Sequence, residues 1–394
     1  MKKTDRLKFE IEKRDGLARV GVIHTPHGDI KTPAFVGAAT RATVKALTMK
    51  EMRELGSQAI LANTYHLLLA PGADLIRNAG GLAEFSSWHG PTFTDSGGFQ
   101  IFSLGQDFKG DTARKSSLNA KNKLKISENG VKFQSYLNGD KFEMTPESSM
   151  ETQWKIGADI HMAFDHLAKS ENYEDMKEAM ERTHAWLMKC VARHTELREE
   201  AISRDEYVQN LYAVVQGGRF LDLRKESAEF CAGMEVDGFG IGGVFTADRM
   251  GEMLQVVNSV LPEEKPRHLL GMGSEPIDIF VGAENGCDTF DCVGPTRMAR
   301  NGALYTLDGR INILNSKYRE DFAPVIEGCE CECCRNYSKA YLHHLFKTNE
   351  ILAKVLASIH NEHFVVHLTD TVREKLLDGG FAEYKTEFLK RYYR

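Results

Sequence analysis

No apolar run in the 394-residue sequence approaches the roughly 18 residues that cross a bilayer, so no membrane-spanning helix is expected. The opening segment, MKKTDRLKFEIEKRD, is charged and lacks an apolar core, which argues against a secretory signal and for the cytoplasm. An excess of positive charge is also missing: 50 Lys and Arg stand against 56 Asp and Glu, a net charge of −6. Bulk electrostatics therefore do not announce a nucleic-acid binder, and a polyanionic partner has to be met by a local basic patch. Internal repeats and low-complexity tracts are absent as well. With 42% hydrophobic and 27% charged residues, the composition fits a folded enzyme and excludes a disordered or fibrous chain.

What recurs instead is a short β-branched or aromatic run ending in polar or glycine residues, followed by a helical stretch. Eight such runs occur: 32–36, 59–63, 92–98, 158–165, 211–218, 238–243, 268–273 and 288–293. Helix-like segments separate most of them, and Thr145-Pro146-Glu147 reads as an N-cap with proline at the first helical position. Eightfold strand–helix alternation predicts an α/β fold, a (β/α)8 TIM-like barrel with insertions; an open doubly wound sheet is the competitor. The catalytic barrel is expected over 1–311. An inserted lobe at about 101–141 carries Lys109, Arg114, Lys115, Lys121, Lys123, Lys125 and Lys132, and reads as a solvated hairpin or a phosphate-contacting lobe. Residues 312–394 form a C-terminal tail with a cysteine cluster and a helical stretch from Arg335 to His363.

Barrel enzymes place their chemistry at the carboxyl ends of the strands. Here those ends carry Asn63, Asp95, Asp165, Gln216, Gly242 with Gly243, and Asp291. Each alone could be a helix cap, but buried carboxylates are costly unless paired or functional, so their convergence on one rim points to an active site. Asp95-Ser96-Gly97 looks like half of an aspartic protease, yet the second Asp-Thr/Ser-Gly that such a dyad needs is lacking. Gly238-Phe-Gly240-Ile-Gly-Gly243 matches a dinucleotide fingerprint, but it lies deep in the chain, and close backbone approach to a planar ligand accounts for it equally well.

Four of the 8 cysteines, Cys329, Cys331, Cys333 and Cys334, crowd into six positions, a spacing that serves a metal better than disulfides. Three thiolates in one turn and a histidine returned by a helix describe a closed structural zinc site. Spacing alone leaves Cys333 or Cys334 as the third ligand and His343, His344, His360 or His363 as the fourth.

Longer strings carry a resemblance. Ala62-Asn-Thr-Tyr-His-Leu67, Thr94-Asp-Ser-Gly-Gly-Phe-Gln100, Val215-Gln-Gly-Gly218, Phe290-Asp-Cys-Val293 with Pro295-Thr-Arg297, and the cysteine cluster with Ala340-Tyr-Leu-His-His-Leu-Phe346 span nearly the whole chain. In that order they resemble the bacterial-type tRNA-guanine transglycosylases. The resemblance implies a barrel enzyme that exchanges guanine at the wobble position of tRNA anticodons for a 7-deazaguanine such as preQ1. Base exchange on an intact ribose is a retaining substitution, which needs a carboxylate nucleophile and a second carboxyl group to move the proton. By resemblance Asp291 is the nucleophile and Asp95 the general acid/base. Ser96, Asp165, Gln216 and Gly243 would then read the guanine edge, with Phe99 and Leu270 on its two faces, and Arg297 and Arg300 would hold the anticodon loop. The family pattern selects Cys329, Cys331, Cys334 and His360 for one Zn2+ per chain and implies a homodimer.

Two strings depart from the family. Asp165 is followed by His166-Leu167 where Glu-Cys is usual, and Gly243 by Val244-Phe245-Thr246-Ala247-Asp248 where Leu-Ala-Val-Gly-Glu is usual. Both neighbour the substituent of the incoming base in the family, so queuine stands beside preQ1 as the incoming base. A non-catalytic tRNA-binding partner subunit and an ordinary retaining glycoside hydrolase are weaker alternatives.

Overall fold

A computed structural model describes residues 3–105, 124–168, 170–243 and 247–394; the side chains at 104, 105, 247 and 248 lie outside it as well. Five of the cations expected in the inserted lobe (Lys109, Arg114, Lys115, Lys121 and Lys123), together with Val244 to Thr246 and the side chain of Asp248, therefore fall outside the described residues.

Eight parallel strands close into a barrel: β1 (Ala34–Ala38), β2 (Ile60–Ala62), β3 (Thr92–Thr94), β4 (Ile160–Met162), β5 (Asn210–Val215), β6 (Gly238–Ile241), β7 (Arg267–Leu269) and β8 (Thr289–Cys292). Each sits within or beside one of the eight runs, and closure by β8 on β1, with Asp291 opposite Val36, rules out the open sheet. Side chains alternate between two buried faces, as a barrel strand requires. On β5, Leu211, Ala213 and Val215 join the outer core under the helices, while Tyr212 and Val214 point into the barrel with Phe93, Ile160 and Met162. A three-stranded antiparallel sheet (Lys8–Asp15, Ala18–Thr25, Gly28–Thr32) stops the floor of the barrel, and its Phe9, Ile23 and Ile30 complete the interior cluster. The opposite, carboxyl end is left for chemistry.

Two of the fingerprint glycines owe their place to packing within the barrel. A Cβ on Gly238 would stand 2.4 Å from the Tyr212 ring, and one on Gly240 would stand 3.1 Å from Met162 Sδ and 3.2 Å from Leu270. The segment before helix Pro146–Ile156 is an antiparallel sheet of Lys125–Ser127, Gly130–Gln134 and Lys141–Met144. Thr145 caps that helix with Pro146 at its first turn, as the sequence indicates.

The helical tail departs from expectation. The stretch from Arg335 to His363 is not one helix but parts of three, Glu332–Asn336, Lys339–Lys347 and Ile351–Asp378. Ser338 breaks the first junction by accepting the Tyr341 N–H as an N-cap. Asn349, at φ +56°, breaks the second, since asparagine tolerates the left-handed region better than most residues.

Candidate active site and metal cluster

The strand ends bring the acidic residues to one mouth. Asp95 follows β3. Its Oδ1 accepts the backbone N–H groups of Thr64 (2.9 Å) and Gly97 (3.1 Å), and its Oδ2 accepts from the Asn63 amide. Asn63 does two jobs, because its Oδ1 also caps helix Thr64–Leu69 through the His66 N–H at 2.9 Å. Burial pushes the Asp95 carboxyl up to about 7 against these three donors, and the charge of Asp291 pushes in the same direction. The two carboxylates are therefore close enough for the charge of one to act on the other.

Asp291 leaves β8 on its inner face. Its Oδ1 is held by the Gly271 N–H at 2.9 Å and by His268 Nε2 at 3.1 Å.

Asp165, after β4, forms a second cluster with two other expected residues. Ser96 Oγ donates to its Oδ1 at 2.6 Å and Gln216 Nε2 to its Oδ2 at 2.7 Å, while burial raises its pKa. Each carboxylate oxygen keeps a lone pair, and the Gln216 amide keeps its second N–H, so the group can still meet a heterocycle edge. Gly98 is obligatory beside it, since a Cβ there would stand 2.7 Å from the Asp165 carbonyl oxygen. Gly243 adopts φ +102° at the end of β6, a conformation natural to glycine.

The remaining expected residues are placed less tightly. Leu270 is half-buried against the interior cluster, whereas Phe99 is 58% exposed on the first turn of helix Gly98–Gly105. Arg297 is exposed on helix Gly294–Ala299, and Arg300 caps its end with Nε donating to the Thr296 carbonyl at 3.1 Å. Leu167 is buried in the outer core.

Several residues escaped the sequence reading. Arg224 is fully buried, and its guanidinium donates to the carbonyls of Gly218 (2.7 Å), Val215 (3.1 Å) and Gly242 (2.7 Å), tying the end of β5 to that of β6. His268 opens the run 268–273, where nothing in the sequence gives it a role. Arg41 and Lys45, in the loop after β1, cluster with Arg300: burial lowers the Lys45 pKa and both arginines add to it. Arg41 also donates to Tyr136 Oη at 2.7 Å, which links this basic rim to the antiparallel sheet. Isolated cations 41, 45 and 300 form no string, and only the closed barrel joins them.

In the tail, ligand atoms of Cys329, Cys331, Cys334 and His360 all lie within 4.8 Å of one another. Cys334 Sγ and Cys331 Sγ stand 3.3 and 3.6 Å from His360 Nδ1, separations that suit four ligands around one tetrahedral ion. His360 Nε2 lies 2.8 Å from the Tyr305 carbonyl and donates to it, which fixes the ring with Nδ1 towards the cysteines. Cys333 is outside this group, and His343 is engaged instead with the Ile313 carbonyl at 2.7 Å. His363 approaches Cys329 Sγ only at 3.7 Å. Asn361, beside His360, donates to the carbonyls of Pro295 and Ala303 and accepts the Tyr305 N–H, clamping the tail to the segment after Asp291. No helix among the described residues is long and apolar enough to cross a membrane.

A family model described as queuine tRNA-ribosyltransferase matches residues 14–394. A protein of that name from Herpetosiphon aurantiacus is 44% identical over 388 residues, covering 98% of this chain and 92% of its own length. Another from Desulforamulus reducens is 42% identical over 392 residues, covering 98% of both chains. A third, from Thermoanaerobacter sp., is 43% identical over 392 residues with the same coverage.

Proposed function

The chain belongs to the queuine tRNA-ribosyltransferase family, and from that membership we propose that it exchanges guanine at the wobble position of tRNA for a 7-deazaguanine. The observation that carries the mechanism is the pair Asp95 and Asp291 at one barrel mouth, with Asp95 raised to about 7 partly by the charge of Asp291. Two carboxyl groups with different environments divide into an acid and a nucleophile. Asp291 attacks C1′ of the ribose as the bond to guanine N9 breaks, and Asp95 delivers the proton that the departing base needs. A covalent glycosyl-enzyme results. The incoming base then gives a proton back to Asp95 as it displaces Asp291.

Asp165, Ser96, Gln216 and Gly243 read the edge of the flipped base, which is stacked between Phe99 and Leu270. Arg297 and Arg300, joined by Arg41 and Lys45, supply the local basic patch for the anticodon loop that the acidic whole requires. Cys329, Cys331, Cys334 and His360 hold one structural zinc, which folds the tail. Exposed Phe322 and Tyr341 on the tail favour a homodimer, because large apolar side chains gathered on one surface mark contact sites. A protein with these substrates works in the cytoplasm.

For the incoming base the reading is preQ1. Leu167, being buried in the outer core, has little surface to offer a bulky substituent. The test is exchange of labelled guanine out of tRNA with preQ1 and queuine in competition. Loss of guanine exchange in every tRNA tried would overturn the activity. Queuine winning by tenfold, about 1.4 kcal/mol, would overturn the choice of base alone.

A further inference from the structure

We infer that His268 is the positioning residue of the nucleophile: it anchors one oxygen of Asp291 and thereby designates the other, Oδ2, as the atom that bonds to C1′. This rests on the proposed role of Asp291 and deepens it. His268 lies at the centre of β7, fully buried, and points into the barrel where its ring stacks on Phe93 at 5.3 Å. On neighbouring β8, Thr289 and Asp291 are two residues apart and so share the inner face, whereas Phe290 faces the outer core. The imidazole bridges both. Nδ1 lies 2.8 Å from Thr289 Oγ1 and Nε2 lies 3.1 Å from Asp291 Oδ1.

A carboxylate can only accept, so Nε2 carries a proton and donates it, and the Thr289 hydroxyl holds the far side of the ring. The Gly271 N–H reaches the same Oδ1 at 2.9 Å. Among the described residues no hydrogen bond reaches Oδ2, so the two donors divide the carboxylate into a fixed oxygen and a free one. When Oδ2 forms its bond to C1′ and guanine departs with the N9 electron pair, Oδ1 becomes the ester carbonyl. It still faces two donors. In the second half, as the new base attacks C1′ and the C1′–Oδ2 bond breaks, charge returns to the carboxylate and the same donors stabilise it. A histidine placed only to fill the barrel would contribute to packing, but not to both half-reactions.

The experiment measures guanine exchange, capture of the covalent enzyme–tRNA adduct and thermal unfolding for His268→Phe, His268→Gln and Thr289→Val, with Asp291→Asn as control. His268→Phe is expected to lower kcat about 100-fold, the scale for one preorganised donor, with KM for tRNA within about threefold. His268→Gln, which keeps an N–H donor, should recover at least tenfold of that loss. Thr289→Val should lower kcat at unchanged KM because the ring is released. Wild-type kcat in folded His268→Phe, or a Gln variant no better than Phe, overturns the inference. If His268→Phe does not fold, Thr289→Val decides, and wild-type kcat there overturns it equally. Asp291→Asn separates the two readings. Exchange persisting in that variant removes Asp291 itself, whereas a dead control beside an active His268→Phe removes only His268.

Discussion

A carboxyl group that must give and take one proton per turnover works best with a pKa near the working pH. Asp95 meets that requirement through burial, which outweighs the Thr64, Gly97 and Asn63 donors and leaves it at about 7. In the proposed reaction its protonated form starts the cycle, so single-turnover release of guanine should fall as pH rises through about 7. Asp95→Asn should abolish exchange along with that limb of the profile; a limb unchanged in the variant would assign it to another group. The same shift also bears on stability. A carboxyl raised in the folded state contributes stability that is complete below its ordinary range near 3.8 and lost as pH climbs through about 7. In the proposed reading Asp165 serves recognition instead. Asp165→Ala would leave the donors of a bound guanine unpaired in a closed pocket at about 1–3 kcal/mol each, so guanine affinity should fall at least tenfold by calorimetry. Equal affinity in the variant would contradict the assignment. Asp95, Asp165 and Asp291 were legible in the sequence because each ends a recognisable strand. His268 and Arg224 were not, since neither forms a motif and their partners lie one strand away.

At the scale of elements, the eight strands were legible because each is a compact apolar run between helical stretches, and the barrel then places every strand end without further information. Helix boundaries in the tail were not. Tyr337, Tyr341, Leu342 and Leu345 keep an apolar spacing across the Ser338 cap, and periodicity alone cannot see a residue that turns the chain. The ends of β5 and β6 depend on a device that periodicity also misses. Arg224 on helix Leu221–Ala232 satisfies the Gly218, Val215 and Gly242 carbonyls at once, and a charged donor bond of this kind contributes about 1.5–3 kcal/mol. Arg224→Met should therefore lower stability by at least about 3 kcal/mol in urea unfolding and raise KM for guanine, because Gly243 follows the released carbonyl. Arg224→Lys should rescue little, as an ammonium lacks the planar fork that reaches three oxygens. Full stability in the Met variant would show that water replaces the guanidinium.

Across the whole molecule, the tail and the active-site mouth are joined through a short chain of contacts. The Cys329, Cys331, Cys334 and His360 group engages the third turn of helix Ile351–Asp378, and Asn361, one residue on, holds Pro295, Ala303 and Tyr305. Helix Gly294–Ala299, which contains the clamped Pro295 and carries Arg297 with Arg300 at its end, begins just after Asp291. Metal loss should consequently reach the proposed tRNA-binding patch before it reaches the proposed base-reading edge, whose residues follow β3 to β6. Careful purification should yield one zinc per chain. Removing the proposed zinc with a chelator, or substituting Cys331→Ser, should raise KM for tRNA and shift the proposed dimer towards monomer in sedimentation, while guanine affinity stays within about twofold. Metal retained in full by Cys331→Ser would remove that cysteine from the site. A guanine affinity that collapses together with tRNA binding would show that the tail supports the barrel as a whole, and would deny the specific route through Asn361.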